Sequence, residues 1–139
     1  MGLDATVFRN VRDLERVAGQ GRFDVDAATG EATPKAGLSV DLPDSAYIAA
    51  DERLGNLAQV THLREIAEGL LSADSLLVRQ VLYSGSHCGD CIALDELPQL
   101  KRELNVLRSQ QHADVVAFVA VMLALVNAAE TELNPIVFT

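Results

Sequence analysis

Residues 115–126 read VVAFVAVMLALV, twelve consecutive apolar residues with no glycine, proline or charge among them. A membrane-spanning helix needs about 20 such residues, so the run predicts a buried helix, which we place over residues 113–133. A helix that is apolar on nearly every side lies at the centre of a bundle or between two subunits. The stretch therefore organises the fold around one helix. It also favours a homodimer, with this helix or the one over Leu97–Leu107 at the interface.

Two upstream stretches keep an apolar stripe at steps of three and four residues, which predicts amphipathic helices. One stripe runs from Leu54 to Leu71, in a helix with its N-cap at Asp51 or, as the alternative start, at Asn56. The other helix extends from an N-cap at Asp95 to about Ser109, and its stripe is formed by Leu97, Leu100, Leu104 and Leu107. The charged residues 101–103 and 108 fall mostly outside that stripe.

The segment 76–83 allows two interpretations. It fits a helix capped by Ser72 or Asp74 and ended by Gly85. It also fits a strand over residues 81–83 that pairs with residues 92–94. The sequence does not decide between them.

Both ends of the chain are rich in residues that favour strands. Residues 3–8 (LDATVF) alternate between apolar and polar, and residues 136–138 (IVF) follow the helix-stopping Asn134-Pro135. Residues 22–33 (RFDVDAATGEAT) predict a small exposed hairpin. The expected fold is α+β: a mostly helical bundle of about four helices with a small sheet joining the two terminal strands. The whole chain, 1–139, is expected to form a single domain.

Charge restricts the class of partner. Eleven Lys and Arg residues face twenty Asp and Glu residues, which gives a formal net charge of −9. Such a surface repels nucleic-acid phosphates but attracts a basic protein. The N-terminus has no signal-peptide pattern, and two cysteines in such a chain indicate free thiols in a reducing cytoplasm. The sequence thus predicts a cytoplasmic protein that binds neither nucleic acid nor membrane.

Residues 83–94 (YSGSHCGDCIAL) hold both cysteines, Cys88 and Cys91, together with His87. A structural zinc site needs four ligands, and these residues supply at most three. The remaining histidines, His62 and His112, have no ligand spacing. A redox dithiol needs a lowered thiol pKa, usually from a following helix, whereas residues 92–94 look like a strand. Asp90 between the thiols raises their pKa.

Cys–His catalysis requires a histidine that faces the thiol, but neighbouring side chains such as those of His87 and Cys88 point apart in an extended segment. The structural interpretation is a rigid polar loop. In it Gly85 and Gly89 permit positive φ, and Ser86 and Asp90 bond to nearby amides. Such a loop still serves as a recognition surface.

Four motifs, spread nearly end to end, resemble a family of small bacterial proteins of unassigned activity. They are GLDA (2–5), RLGN (53–56), LYSGSHCGD (82–90) and NPIVF (134–138). The family's loop pattern is similar to LYSG-S/T-H-x-G-D, which leaves the cysteine positions variable. The resemblance therefore implies no metal or redox role for the thiols. By size and charge, such proteins look like immunity proteins, which neutralise a toxin from a neighbouring cell.

These observations predict a non-enzymatic, immunity- or antitoxin-like binding protein whose partner is a basic protein such as a toxin. The predicted binding residues are Arg53, Asn56, Ser86, His87 and Asp90. No catalytic residue, metal or cofactor is expected. The alternative is a metal- or thiol-dependent enzyme that uses the loop of His87, Cys88 and Cys91.

Overall fold

An inner strand, β1 (Gly2–Phe8), connects the two halves of the sheet in the computed structural model, which describes residues 2–139. It pairs antiparallel with β4 (Ile48–Asn56) on one side and with β6 (Ile136–Phe138) on the other. β6 also pairs with β5 (Cys91–Ile92), so the strand order is β4-β1-β6-β5. The predicted sheet between the two terminal strands is confirmed.

The helices confirm the predicted α+β class. They are α1 (Val11–Ala18), α2 (Leu57–Leu70), α3 (Leu97–Arg108) and α4 (Ala113–Glu132). Shorter turns of 3-10 type lie at Asp44–Tyr47 and Leu94–Glu96, and one π-helical turn covers Leu77–Val81. The predicted hairpin is also present, with β2 (Phe23–Val25) paired to β3 (Ala32–Pro34).

The main core lies between the sheet and helices α2, α3 and α4. Leu3, Ala5 and Val7 alternate along β1 and are fully buried. They belong to one apolar cluster with residues from all three helices, such as Leu104 and Met122. A separate small cluster around Leu14, Phe23 and Ala32 fastens the hairpin to α1. The hairpin is thus held by its own apolar contacts beside the main core.

Helix α4 is buried along one side only. Residues such as Val119, Met122 and Leu125 face α3 and the sheet, whereas Val116 is 54% exposed and Ala120 and Ala124 are also exposed. With 20 residues and a mean hydropathy of 1.9, α4 has the length and composition of a membrane span. Core helices of globular proteins meet the same criterion, and α4 packs against both α3 and β1.

The prediction missed strand β4. Residues 48–56 form an edge strand, so one side has no partner strand and charged residues at 51–53 are tolerated there. These charges hide the strand pattern. An N-cap at Asp51 is therefore wrong, and the alternative, Asn56, is confirmed. Its Oδ1 accepts from the Gln59 N–H at 2.9 Å, and Gln59 bonds back to the Asn56 N–H at 2.8 Å.

For residues 76–83 the helical interpretation is confirmed only as a short turn, and the strand interpretation is wrong. The segment forms a single π-helical turn, and residues 91–92 pair with β6 instead of residues 81–83. Neither Ser72 nor Asp74 is the N-cap, which is Leu76 and has no side-chain cap bond. Oγ of Ser75 accepts from the Val78 N–H at 3.2 Å. Asp95 lies in the 3-10 turn before α3, where its side chain is not the N-cap.

Candidate functional site

His87 is the buried centre of the loop between the π-helical turn and β5. Its side chain is 6% exposed and stacks on the ring of Tyr83, with centroids 4.6 Å apart. Its other close ring is that of Phe138 in β6, at 5.0 Å. Nε2 donates to the carbonyl oxygen of Val81 at 2.9 Å. The imidazole therefore ties the loop both to the preceding turn and to the sheet.

Asp90 joins the two aromatic rings of the loop. Its Oδ2 accepts from the Tyr83 hydroxyl and lies 2.8 Å from Nδ1 of His87. Nδ1 has no hydrogen-bond partner, so this contact is an ion pair only when the ring is doubly protonated. The hydrogen bond to Asp90, with burial, raises the pKa of Tyr83. The carboxylate is thus committed to groups of the loop itself.

Two glycines shape the loop for different reasons. Gly89 has φ of 89°, a conformation that favours glycine, and its N–H donates to the Phe138 carbonyl at 2.8 Å. Gly85 has no positive φ. It is needed for space, since an added Cβ would lie 3.1 Å from the Cα of Leu57. Ser86 is exposed. The hydroxyl of Ser84 accepts from the Ser86 N–H at 3.3 Å and donates to the Ser86 carbonyl oxygen at 3.0 Å.

The other two predicted binding residues have positions outside this loop. Arg53 lies in edge strand β4 and pairs with Asp4 of β1 at 3.3 Å. Asn56 is occupied as the N-cap of α2. The structure therefore brings Ser86, His87 and Asp90 together in one loop and places Arg53 and Asn56 in β4, the strand at the far edge from β5.

The cysteines are free thiols, with Cys88 exposed and Cys91 half-buried. Burial raises the pKa of the Cys91 thiol, and the carboxylates of Asp90 and Asp26 raise it further. The expected influence of Asp90 is thereby confirmed for Cys91. A raised pKa leaves the thiol protonated near neutral pH, which is the opposite of what a redox or nucleophilic cysteine needs.

A cleft of about 460 Å³ opens where the hairpin, β5 and the end of α4 meet. We call it the acidic cleft, and it is lined by residues 25–28, 30, 91, 93–95 and 133–135. Asp26 and Asp95 lie in it, and the described residues that line it include neither lysine nor arginine. Three of its apolar residues are exposed: Val25 by 47%, Leu94 by 38% and Leu133 by 61%. The cleft thus combines negative charge with accessible apolar surface.

Leu133 ends α4 in the left-handed conformation, with φ of 55° and ψ of 38°. Among the residues 2–139 it is the one non-glycine with positive φ. A side chain in this conformation costs about 1–2 kcal/mol, and such strain clusters at binding sites. The cleft therefore contains a leucine where the local backbone favours glycine.

Sequence reasoning did not identify the acidic cleft. Asp26 was considered only within the hairpin, Asp95 only as a helix cap, and Leu133 only as the end of a helix. The three residues are far apart in the chain, and no local motif links them. The missing signal is the register of β5 against β6, which brings residues 91–95 beside the end of α4.

No family model, curated protein or solved structure matches this chain. The resemblance of its four motifs to a bacterial family therefore stays a prediction.

Proposed function

We propose that this chain is a non-enzymatic, cytoplasmic bacterial protein of immunity or antitoxin type, which binds a basic segment of a partner protein in the acidic cleft. The observation that carries the proposal is the composition of the cleft. Asp26 and Asp95 supply negative charge, and exposed Val25, Leu94 and Leu133 supply apolar contacts. A partner segment that carries lysine or arginine beside apolar side chains complements both.

The net charge of −9 supports the same partner class, because it accelerates association with a basic protein and repels nucleic acid. It acts over the whole surface, however, and does not specify a site. Specificity would come from the cleft, where apolar surface and carboxylates adjoin.

The arrangement of the loop disfavours the alternative, a metal- or thiol-dependent enzyme that uses His87, Cys88 and Cys91. Both ring nitrogens of His87 face groups of the chain itself, Val81 O and Asp90 Oδ2. The pKa of Cys91 is raised. We therefore assign Ser86, His87 and Asp90 to a supporting loop beside the cleft. We assign Arg53 to the ion pair that joins β4 to β1, and Asn56 to the N-cap of α2.

The test is the affinity for a fluorescent peptide in which arginine alternates with leucine, measured by anisotropy at two salt concentrations. In the double variant Asp26→Asn/Asp95→Asn, asparagine keeps the oxygen that accepts from Ala28 and Thr29 in the hairpin turn. We expect its affinity to fall at least tenfold, about 1.4 kcal/mol, with a weaker salt dependence.

The matched control is Asp41→Asn/Glu65→Gln, which changes the net charge equally at two exposed positions outside the cleft. It should bind almost as well as the wild type. Equal losses in both double variants would show that overall charge alone drives binding, and the assignment of the cleft would then be wrong. Wild type and the cleft variant, used in parallel as baits in an extract of the source organism, then identify the partner as the protein lost from the variant.

A further inference from the structure

The side chains of the two histidines outside the loop lie close together, one on α2 and one at the start of α4. His62 lies on the exposed side of α2, and His112 is the N-cap of α4. Their Nε2 atoms are 3.5 Å apart, and their ring centroids 5.0 Å. Asp114, in the first turn of α4, places a carboxylate oxygen within 4.8 Å of one ring nitrogen of each histidine. Three potential ligand atoms from two helices thus surround one point.

The separation of the two nitrogens suits a tetrahedral metal ion. With Zn–N bonds of 2.0–2.1 Å, two ligands at a tetrahedral angle are about 3.4 Å apart. Two imidazoles and one carboxylate form a ligand set that zinc uses when its fourth position is left to water. All three side chains are exposed, so an ion reaches them without any opening of the fold.

A metal ion at this site would compete with the existing hydrogen bonds of His112. Its Nδ1 accepts from the Asp114 N–H at 3.2 Å, so the neutral ring carries its proton on Nε2 and donates it to His62. Nε2 of His62 therefore already presents a lone pair. For His112 to bind through Nε2, its proton moves to Nδ1 and the cap bond is lost. Metal binding and helix capping thus oppose each other, which makes the site exchangeable.

We propose that His62, His112 and Asp114 form an exchangeable site for a divalent transition metal of the zinc type, which joins α2 to the start of α4. The site is separate from the acidic cleft and does not depend on the proposed protein-binding function. Asp114 also lines a small cleft together with Arg53. The contribution of Asp114 as third ligand has a test of its own.

The test is calorimetric titration of Zn²⁺ into tag-free protein in which Cys88→Ser and Cys91→Ser remove the thiols. We expect one zinc per chain. His62→Gln removes one ligand, and His112→Asn removes the other while retaining an N-cap acceptor. Each should weaken binding at least tenfold, whereas Gln111→Ala, an exposed neighbour of His112, should not. Unchanged affinity in either histidine variant, or binding only at millimolar zinc, overturns the proposal.

Two further readouts assign the ligands. Asp114→Asn should lower the affinity less than the histidine variants do, and an unchanged affinity would overturn the role of the carboxylate. Co²⁺ added to the wild-type protein should give visible d–d bands without a thiolate charge-transfer band. A thiolate band that disappears with the cysteine substitutions would place the metal in the loop instead and overturn the assignment.

Discussion

Nδ1 of His87 lies 2.8 Å from Oδ2 of Asp90, inside the loop that carries both thiols. The contact joins two residues of the same loop. The imidazole is 6% exposed and lies against the rings of Tyr83 and Phe138. A ring held in this way supports the backbone around it and does not present its nitrogens to a ligand. The contacts of His87 therefore hold the loop against the turn at Leu77–Val81 and against β6.

We expect His87→Ala to destabilise the protein by about 2–3 kcal/mol, because it removes a packed ring and the donor to Val81 O. Ser86→Ala, at an exposed neighbouring position, should change stability by about 0.5 kcal/mol or less. Urea unfolding of both variants measures the difference. Equal stabilities would contradict the structural role of His87.

The raised pKa of Cys91 predicts slow alkylation near neutral pH. The thiolate reacts, and burial with the nearby carboxylates disfavours the thiolate, so the rate should rise steadily as pH increases. Asp90→Asn removes one of those carboxylates and should accelerate the reaction. Exposed Cys88 serves as the internal reference in mass-spectrometric rate measurements. A Cys91 rate that is already maximal at neutral pH would contradict the assigned direction of the shift.

Leu133→Gly should stabilise the fold, since glycine adopts φ of 55° without the strain that leucine bears there. We expect a gain of about 1 kcal/mol, visible as a rise in melting temperature. Leu133→Ala keeps the strain and should give no gain. Both variants remove an apolar contact from the acidic cleft, so both should bind the arginine–leucine peptide more weakly. A glycine variant that is less stable than the alanine variant would refute the strain.

The homodimer stays a prediction, with either α4 or the Leu97–Leu107 helix at the interface. On α4 the surface open to such a contact is the exposed strip formed by Val116, Ala120 and Ala124. We expect sedimentation at micromolar concentration to give a dimer that Ala120→Asp dissociates into folded monomers. Val119→Asp is the contrasting variant, because Val119 is 4% exposed and its carboxylate would enter the core and unfold the chain. A wild-type monomer would rule out the dimer.

Helices α2 and α3 were predictable because each buries a single stripe at helical spacing, as Leu100, Leu104 and Leu107 do in α3. Helix α4 was predictable from its long apolar run, although it is buried along one side only. Glu103 in α3 was not predictable. Its charge placed it outside that stripe, yet it is buried, where its carboxylate accepts from the N–H groups of Leu76 and Leu77 at 3.0 and 2.9 Å. The Glu103 carboxylate thus accepts from Leu77, 26 residues earlier in the chain, and no local sequence pattern reveals that pairing.

The candidate sites show the same limit. Ser86, His87 and Asp90 were predictable as a group because they share one loop. His62 and His112 were judged to have no ligand spacing, and they meet only because α2 and the start of α4 pack side by side. Contacts between distant segments depend on packing and strand register, which a single sequence does not display.

The central claim is that a basic partner segment binds in the acidic cleft, and amide chemical-shift mapping tests it most directly. The arginine–leucine peptide is titrated into ¹⁵N-labelled wild-type protein. We predict that the largest shifts fall in residues 25–30, 91–95 and 133–134, the segments that line the cleft. Shifts concentrated instead in the exposed strip of α4, or no shifts at any peptide concentration, would contradict the account.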